Sequence, residues 1–100
     1  SNIGEISFDI SEFGNMQLLT EVYICPANGT IEIKYAEGAW SNLKVDLYDI
    51  EYEESIQTGE IESVGDKLVF SNLSGEKQYY FKIDGTRDSK GKKLVFYIEE

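Results

Sequence analysis

The fold class of this chain is decided by one stretch, residues 68–83, which reads Leu68-Val69-Phe70-Ser71-Asn72-Leu73-Ser74-Gly75-Glu76-Lys77-Gln78-Tyr79-Tyr80-Phe81-Lys82-Ile83. Apolar and polar residues alternate on both sides of a Ser-Gly turn signal, which predicts a strand, a tight bend and a second strand. Leu73 precedes Tyr79 by six residues, a spacing typical of the tyrosine corner of Greek-key sandwiches. In that motif the leucine enters the core and the tyrosine hydroxyl bonds back to the backbone of the bend.

The same two-residue alternation recurs along the rest of the chain, and no helical period of useful length appears. Asn28-Gly29 predicts a type I′ hairpin between strands near 17–25 and 30–36, and residues 50–57 read as an edge strand or an irregular crossover. We therefore predict an all-β fold, an antiparallel two-sheet β-sandwich of the jelly-roll or Ig/fibronectin-like kind with about seven or eight strands. The expected inward positions are Ile6, Phe8, Ile10, Val22, Ile24, Ile31, Ile33, Tyr35, Leu43, Val45, Leu47, Leu68, Phe70, Tyr79, Phe81, Ile83, Leu94, Phe96 and Ile98.

Length predicts a single domain over residues 1–100. Ser1-Asn2 is typical of the remnant left by a protease-cleaved tag, so the lack of a signal peptide carries no information. Cys25 is the one cysteine and is expected to be a small buried hydrophobe, since it has no partner for an internal disulfide. No apolar run approaches the length of a membrane span. We expect a monomer that forms part of a larger protein.

The charge is strongly acidic, with a net value of −10. Residues 1–66 carry two basic and fourteen acidic side chains, whereas residues 67–100 carry seven and five. Nucleic acid and anionic membrane surfaces are poor partners for this balance, because phosphate binding requires clustered Lys and Arg. Solubility alone also accounts for such a charge.

Catalysis is not expected, because the chain has no histidine and no glycine-rich phosphate loop. No cofactor is predicted, with calcium as the one alternative. Carboxylates are concentrated between residues 46 and 54, and calcium takes several oxygen ligands from side chains and backbone. The candidate ligands are Asp46, Asp49, Glu51 and Glu53. A solvated acidic edge that protects a strand from aggregation explains the same residues.

Aromatic residues give the candidate ligand-binding surface. If Val45 and Leu47 face the core, Tyr48 faces outward, and the same reasoning turns Tyr80 and Tyr97 away from Phe81 and Phe96. The predicted set is Trp40, in a loop, with Tyr48, Tyr52, Tyr80 and Tyr97. Exposed rings of this kind stack on sugars or contact protein partners. Cross-strand tyrosine pairs that only stabilise a sheet, and a tryptophan that plugs the core, are the structural alternative.

Three segments resemble bacterial pre-peptidase C-terminal domains, secreted jelly-roll modules that include collagen-binding domains. They are residues 27–35, an Asn-Gly-Thr turn and strand, residues 44–49, and residues 78–83 with the Tyr-Tyr pair. A fibronectin type III-like domain is the second resemblance, carried by Leu73 and Tyr79. The first implies a non-catalytic accessory module of a secreted or cell-surface bacterial protein that binds a glycan or an extracellular protein, with calcium in some cases. The alternative is a structural spacer with no ligand of its own.

Overall fold

A computed structural model of the chain describes residues 2–9, 14–38, 40–51, 54–87 and 93–99. These residues form nine strands and no helix, and so no membrane-spanning helix is found among them. In chain order the strands are β1 (Asn2–Asp9), β2 (Gly14–Leu19), β3 (Tyr23–Ile24), β4 (Ile31–Glu37), β5 (Trp40–Asp49), β6 (Ser55–Ile61), β7 (Lys67–Phe70), β8 (Gln78–Arg87) and β9 (Lys93–Glu99).

The strands form two antiparallel sheets. The four-stranded sheet has the order β1-β9-β4-β7, and the five-stranded sheet has the order β2-β8-β5-β6, with β3 also paired to β8. The consecutive strands β5 and β6 form a hairpin. The chain passes to the other sheet from β7 to β8 and back again from β8 to β9. The predicted all-β, two-sheet sandwich is confirmed. Membership of either resembling family stays a prediction.

The core lies between the sheets and is built from the alternating apolar residues of the central strands. In β4, β5 and β8 the alternating apolar side chains are buried, as predicted, and the intervening described ones are partly or fully exposed, except for Asp46 of β5, which is buried. Tyr35 of β4 stacks on Phe96 of β9 with ring centroids 5.1 Å apart. Such inward rings bury large areas and therefore contribute heavily to the hydrophobic stabilisation of a domain this small.

The tyrosine corner is present. Tyr79 is buried, and its Oη accepts a hydrogen bond from the backbone N–H of Ser74 at 3.0 Å. Leu73 packs against the core, and its own N–H donates to the carbonyl of Gly29 at 3.0 Å. The bend between β7 and β8 is thus tied both to the following strand and to the loop before β4.

Three local predictions differ from the structure. Asn28-Gly29 does not close a type I′ hairpin, because β3 and β4 lie in different sheets and the positive φ of this turn falls on Gly29 alone, at 74°. The edge strand predicted over residues 50–57 begins and ends later: β6, at the edge of its sheet, covers Ser55–Ile61. Trp40 is not in a loop but begins β5.

The facing of residues 22–24 is also opposite to the prediction, whereas Cys25 is buried as expected. Tyr23 and Cys25 are buried, whereas Val22 and Ile24 are 42% and 62% exposed. The reason is register: Tyr23 lies opposite the inward-facing Tyr79 on β8, and directly opposed residues share a sheet face. Because residues 22–25 are all apolar, the sequence alone does not determine which of them face the core.

Candidate functional site

The outer face of the five-stranded sheet carries the clearest candidate surface. On β5 and β8 the outward positions are opposite one another in register, so that Tyr48 faces Tyr80 and Asp46 faces Lys82. Both tyrosines are half-buried. Their positions follow the predicted alternation, because the adjacent pair on the two strands, Leu47 and Phe81, points into the core.

Tyr48 and Tyr80 form a stacked pair. Their ring centroids are 5.0 Å apart and the ring planes differ by 7°. Aromatic cross-strand pairs add roughly 0.5–1.5 kcal/mol beyond the area they bury. One face of each ring therefore contacts the other ring. The pair presents mainly ring edges and hydroxyl groups to solvent.

A compact group of charges adjoins the rings. The Nζ of Lys82 lies over the Tyr48 ring, 5.8 Å from its centroid, and 3.8 Å from Oδ2 of Asp46. Lys44 contacts the other oxygen of Asp46 at 4.0 Å. The hydrogen bond with Tyr48 is the main reason that the pKa of Lys82 is raised; desolvation acts against the rise, and the charges of Asp84 and Asp46 add to it.

Exposed aliphatic residues flank the tyrosine pair on both sides. Leu19 of β2 lies opposite Lys82, and Ile24 of β3 lies opposite Gln78, so they border Tyr80. They are 65% and 62% exposed. On the far side Ile56 occupies the β-bulge of β6 beside Tyr48 and is also exposed. We call Leu19, Ile24, Tyr48, Ile56 and Tyr80 the tyrosine-pair surface.

The sequence did not predict the aliphatic members of this surface. Ile24 was assigned to the core, and Leu19 and Ile56 were not singled out. Lys82 follows Tyr80 by two residues on β8, so alternation does place it on the same face. Which strands flank β8 depends on long-range pairing, and local patterns do not contain that information.

The other predicted aromatic residues do not join the pair. Trp40 is 5% exposed and belongs to the core, with its backbone N–H donating to Oη of Tyr35 at 3.0 Å. Tyr97 is half-buried on the outer face of the four-stranded sheet, opposite Glu5 and Lys34. Tyr52 lies outside the described residues. A ligand role for these three stays a prediction, but no single flat ligand spans both sandwich faces.

The predicted calcium ligands are likewise separated. Asp46 and Asp49 are both nearly inaccessible, but they have opposite parity on β5: Asp46 lies on the outer face opposite Lys82, and Asp49 lies at the end of the strand. The Oδ1 of Asp49 accepts from the N–H of Glu51 at 2.9 Å, and its Oδ2 lies 3.6 Å from Nζ of Lys77. Lys77 also pairs with Glu51 at 3.8 Å. Glu53 lies outside the described residues, and within the described part of the chain no three carboxylate, thiol or imidazole groups cluster as a metal site would require.

Comparison with known proteins gives a fold and no family. No protein-family model matches the sequence, and no curated protein matches it either. Among solved structures, the chain is similar to PliG of Aeromonas hydrophila, a periplasmic lysozyme inhibitor of g-type lysozyme. The TM-score is 0.50 with 14% sequence identity, and the match covers 95% of this chain and 81% of that one. A likeness at this identity shows a shared fold only.

Proposed function

We propose that this chain is a non-catalytic binding module of a bacterial protein that acts outside the cytoplasm, and that the tyrosine-pair surface contacts a protein partner. The observation that carries the proposal is the exposure of Leu19 and Ile24 beside a half-buried tyrosine pair. Protein interfaces commonly contain tyrosines bordered by aliphatic side chains, because a tyrosine combines an apolar ring with a polar hydroxyl group.

A protein partner fits this surface better than a glycan does. Sugar rings stack on a flat aromatic face, but Tyr48 and Tyr80 each cover one face of the other, and Lys82 lies over the Tyr48 ring. The exposed aliphatic side chains offer no hydrogen bonds to sugar hydroxyls. Apolar side chains of a protein partner would contact the same aliphatic residues and remove their surface from water, which favours binding.

Two further points support a binding role over catalysis. The whole chain has no histidine, and the described carboxylates at Asp46 and Asp49 are paired with lysines rather than facing one another across a cleft. PliG, which shares the fold, is by its title an inhibitor of another protein. This supports a protein-binding role for a sandwich of this shape, and a location in the periplasm or at the cell surface, without identifying the partner.

The proposal is tested by binding measurements with purified candidates. The chain is immobilised and exposed to fibrillar collagen, to a g-type lysozyme and to a glycan array. We expect a protein on this panel to bind, and Ile24→Asp or Tyr80→Ala to weaken that binding by about tenfold or more, because central apolar and aromatic contacts dominate interface energies.

Matched controls lie on the opposite face of the sandwich. Val69 is 58% exposed on β7, close to the 62% of Ile24, so Val69→Asp introduces the same charge at an equally exposed aliphatic site. Tyr97→Ala plays the same part for Tyr80→Ala. Binding that falls equally in the control variants contradicts the assigned surface. Binding to glycans alone contradicts the protein partner, and no binding at all favours the structural spacer.

A further inference from the structure

The tyrosine-pair surface is an apolar stripe that crosses the strands of its sheet. Its members lie on the β2–β3 segment, β8, β5 and β6, which are neighbours in that order. On one side of the tyrosine pair the next outer-face residues are charged, Lys82 on β8 and Asp46 on β5. On the other side Gln78 of β8 is polar, and Ile50, 49% exposed just after β5, extends the apolar area. The stripe is therefore longer across the strands than along them.

The backbone beneath this stripe has no hydrogen bonds to offer a partner. β8 pairs with β2 and β3 on one edge and with β5 on the other, and β5 pairs with β8 and β6. A partner that lies on this face therefore contacts side chains only. An extended segment laid there would leave its own N–H and C=O groups without protein partners, whereas an α-helix forms its hydrogen bonds internally.

An amphipathic helix also matches the dimensions of the stripe. Adjacent strands lie about 4.8 Å apart, so three spacings between four strands span about 14 Å. An α-helix rises about 1.5 Å per residue, and roughly ten residues cover that length. Apolar side chains at positions i, i+3, i+4 and i+7 of such a helix form one continuous face. Its polar flanks would then lie over Lys82, Asp46 and Gln78.

Exposed carboxylates lie at both ends of the stripe. At one end, residues 20–22 join β2 to β3, which pair with β8 on either side of Tyr80, and Glu21 of this link is exposed. At the other end, the exposed Glu54 directly precedes Ser55, which lies opposite Tyr48. No lysine or arginine among the described residues forms an ion pair with either glutamate. Both ends therefore favour a cationic partner, and the net charge of −10 attracts one over longer range.

A second copy of this chain fits the stripe poorly. If two copies met face to face along this stripe, the carboxylates at each end of one would lie near carboxylates of the other in either orientation. Each copy also carries the full net charge of −10. Like charges brought together in this way oppose association, so the charge pattern indicates a different, basic protein as the partner.

We propose that the tyrosine-pair surface binds an amphipathic α-helix of the partner protein, laid across the four strands, with basic residues flanking its apolar face. This inference rests on the proposed function, a protein partner at the tyrosine-pair surface. It adds which structural element of that partner is bound and what charge the element carries.

The test uses a defined probe and isotope-labelled protein. The probe is a peptide of about 14 residues, close to four helical turns, with Leu at the i, i+3, i+4 and i+7 positions and Lys elsewhere. One comparison peptide has the same composition with Leu and Lys interspersed at a two-residue period, and a second has Glu in place of Lys. Amide spectra should shift at residues 19–24, 48–51, 54–57 and 78–82 with the probe, and both comparison peptides should bind at least about tenfold more weakly.

Circular dichroism reports the conformation of the bound probe. Isolated helices of this length are marginal in water, and the described residues of the protein contain no helix. A helical signal that grows as the two are mixed, beyond the sum of the separate spectra, is therefore expected and would come from the bound peptide.

Two pairs of matched variants test the surface and its charge. Ile24→Asp should weaken the probe by about tenfold or more, and Val69→Asp on the other sheet should have little effect. E21K/E54K reverses the carboxylates at the ends of the stripe and should weaken the probe by about tenfold at low salt. E5K/E37K changes the net charge equally at exposed positions of the four-stranded sheet and should weaken it much less. Added salt should reduce the difference between the double variants, because it screens exposed charges.

Several outcomes would overturn the helix. They are equal binding of the two-residue-period or acidic peptide, no gain in helical signal, amide shifts on the other sheet, and equal weakening by both double variants. The proposed function has a separate readout. If a protein of the binding panel is weakened by Ile24→Asp while the helical probe does not bind, the partner helix is refuted and the protein-binding surface stands.

Discussion

Replacing Tyr35 by Phe removes one oxygen atom from the middle of the core and leaves the stacked ring in place. That oxygen accepts from the N–H of Trp40 at 3.0 Å and donates to the carbonyl of the same residue at 3.4 Å. Tyr35 is fully buried and Trp40 nearly so. Water therefore has no route to the two backbone groups, and we expect a loss of about 2–3 kcal/mol in the free energy of unfolding, the cost of stranding buried polar groups.

Tyr79→Phe also removes a hydroxyl group that accepts a backbone hydrogen bond, but the donor residue is exposed to solvent. Its oxygen accepts a single hydrogen bond, from the N–H of Ser74 at 3.0 Å, and Ser74 is exposed. Water can take over that donor, so the expected loss is about 1 kcal/mol. For a domain of this length each kcal/mol corresponds to roughly 4–8 °C in melting temperature.

Urea denaturation of the two variants and of Tyr97→Phe measures this difference directly. Tyr97 is half-buried on an outer face, and its variant should stay within about 0.5 kcal/mol of the parent. Slopes of the unfolding free energy against urea should be unchanged in all three, because the exposed area on unfolding is the same. If Tyr35→Phe costs no more than Tyr79→Phe, solvent access does not set the cost and the reasoning fails.

Three further outcomes follow from the same contacts. Gly4→Ala should destabilise the protein by about 1–3 kcal/mol in thermal unfolding, because the new methyl group must displace the Tyr23 ring; an unchanged melting temperature would contradict that contact. The side-chain pKa of Lys82, followed by NMR, should lie above that of an ordinary lysine and fall in Tyr48→Phe. Its stabilising effect is then complete below the pKa of an unfolded lysine and is lost as pH rises through the folded value. Calcium should leave the melting temperature unchanged, because the described candidate ligands lie on opposite faces of β5 or are paired with lysine; a rise that depends on calcium concentration would restore the metal site.

The alternation of residues predicted the facing of the central strands but not that of the short ones. In β8 a run of ten residues contains several alternations, and the inward positions Tyr79, Phe81 and Ile83 are buried as expected. In β3 only two residues pair, within four consecutive apolar positions. There the face is decided by how Tyr23 packs on Phe81, with centroids 6.2 Å apart, and on β1, contacts between residues distant in sequence.

Turn chemistry had the same limit. Asn28-Gly29 does form a turn, with the Gly29 N–H donating to the Pro26 carbonyl at 3.0 Å. The dipeptide does not determine which of the two sheets contains the next strand. That is set by the hydrogen bond from Leu73 to Gly29, which joins this loop to the corner before β8, and residues more than forty positions apart are invisible to a local pattern.

The corner and the tyrosine-pair surface are connected through β8, since this strand lies between β2 and β5 and carries both. Its odd-numbered residues from Tyr79 to Ile83 hold the core, and Tyr80 and Lys82 between them face outward. Because the two sets point to opposite faces, outward residues can change without opening a cavity in the core. The corner fixes the register of the strand, and that register in turn sets Tyr80 opposite Tyr48. A substitution that loosens the corner should therefore weaken binding only as far as it unfolds the chain, whereas Tyr80→Ala should weaken binding in a protein that is still folded.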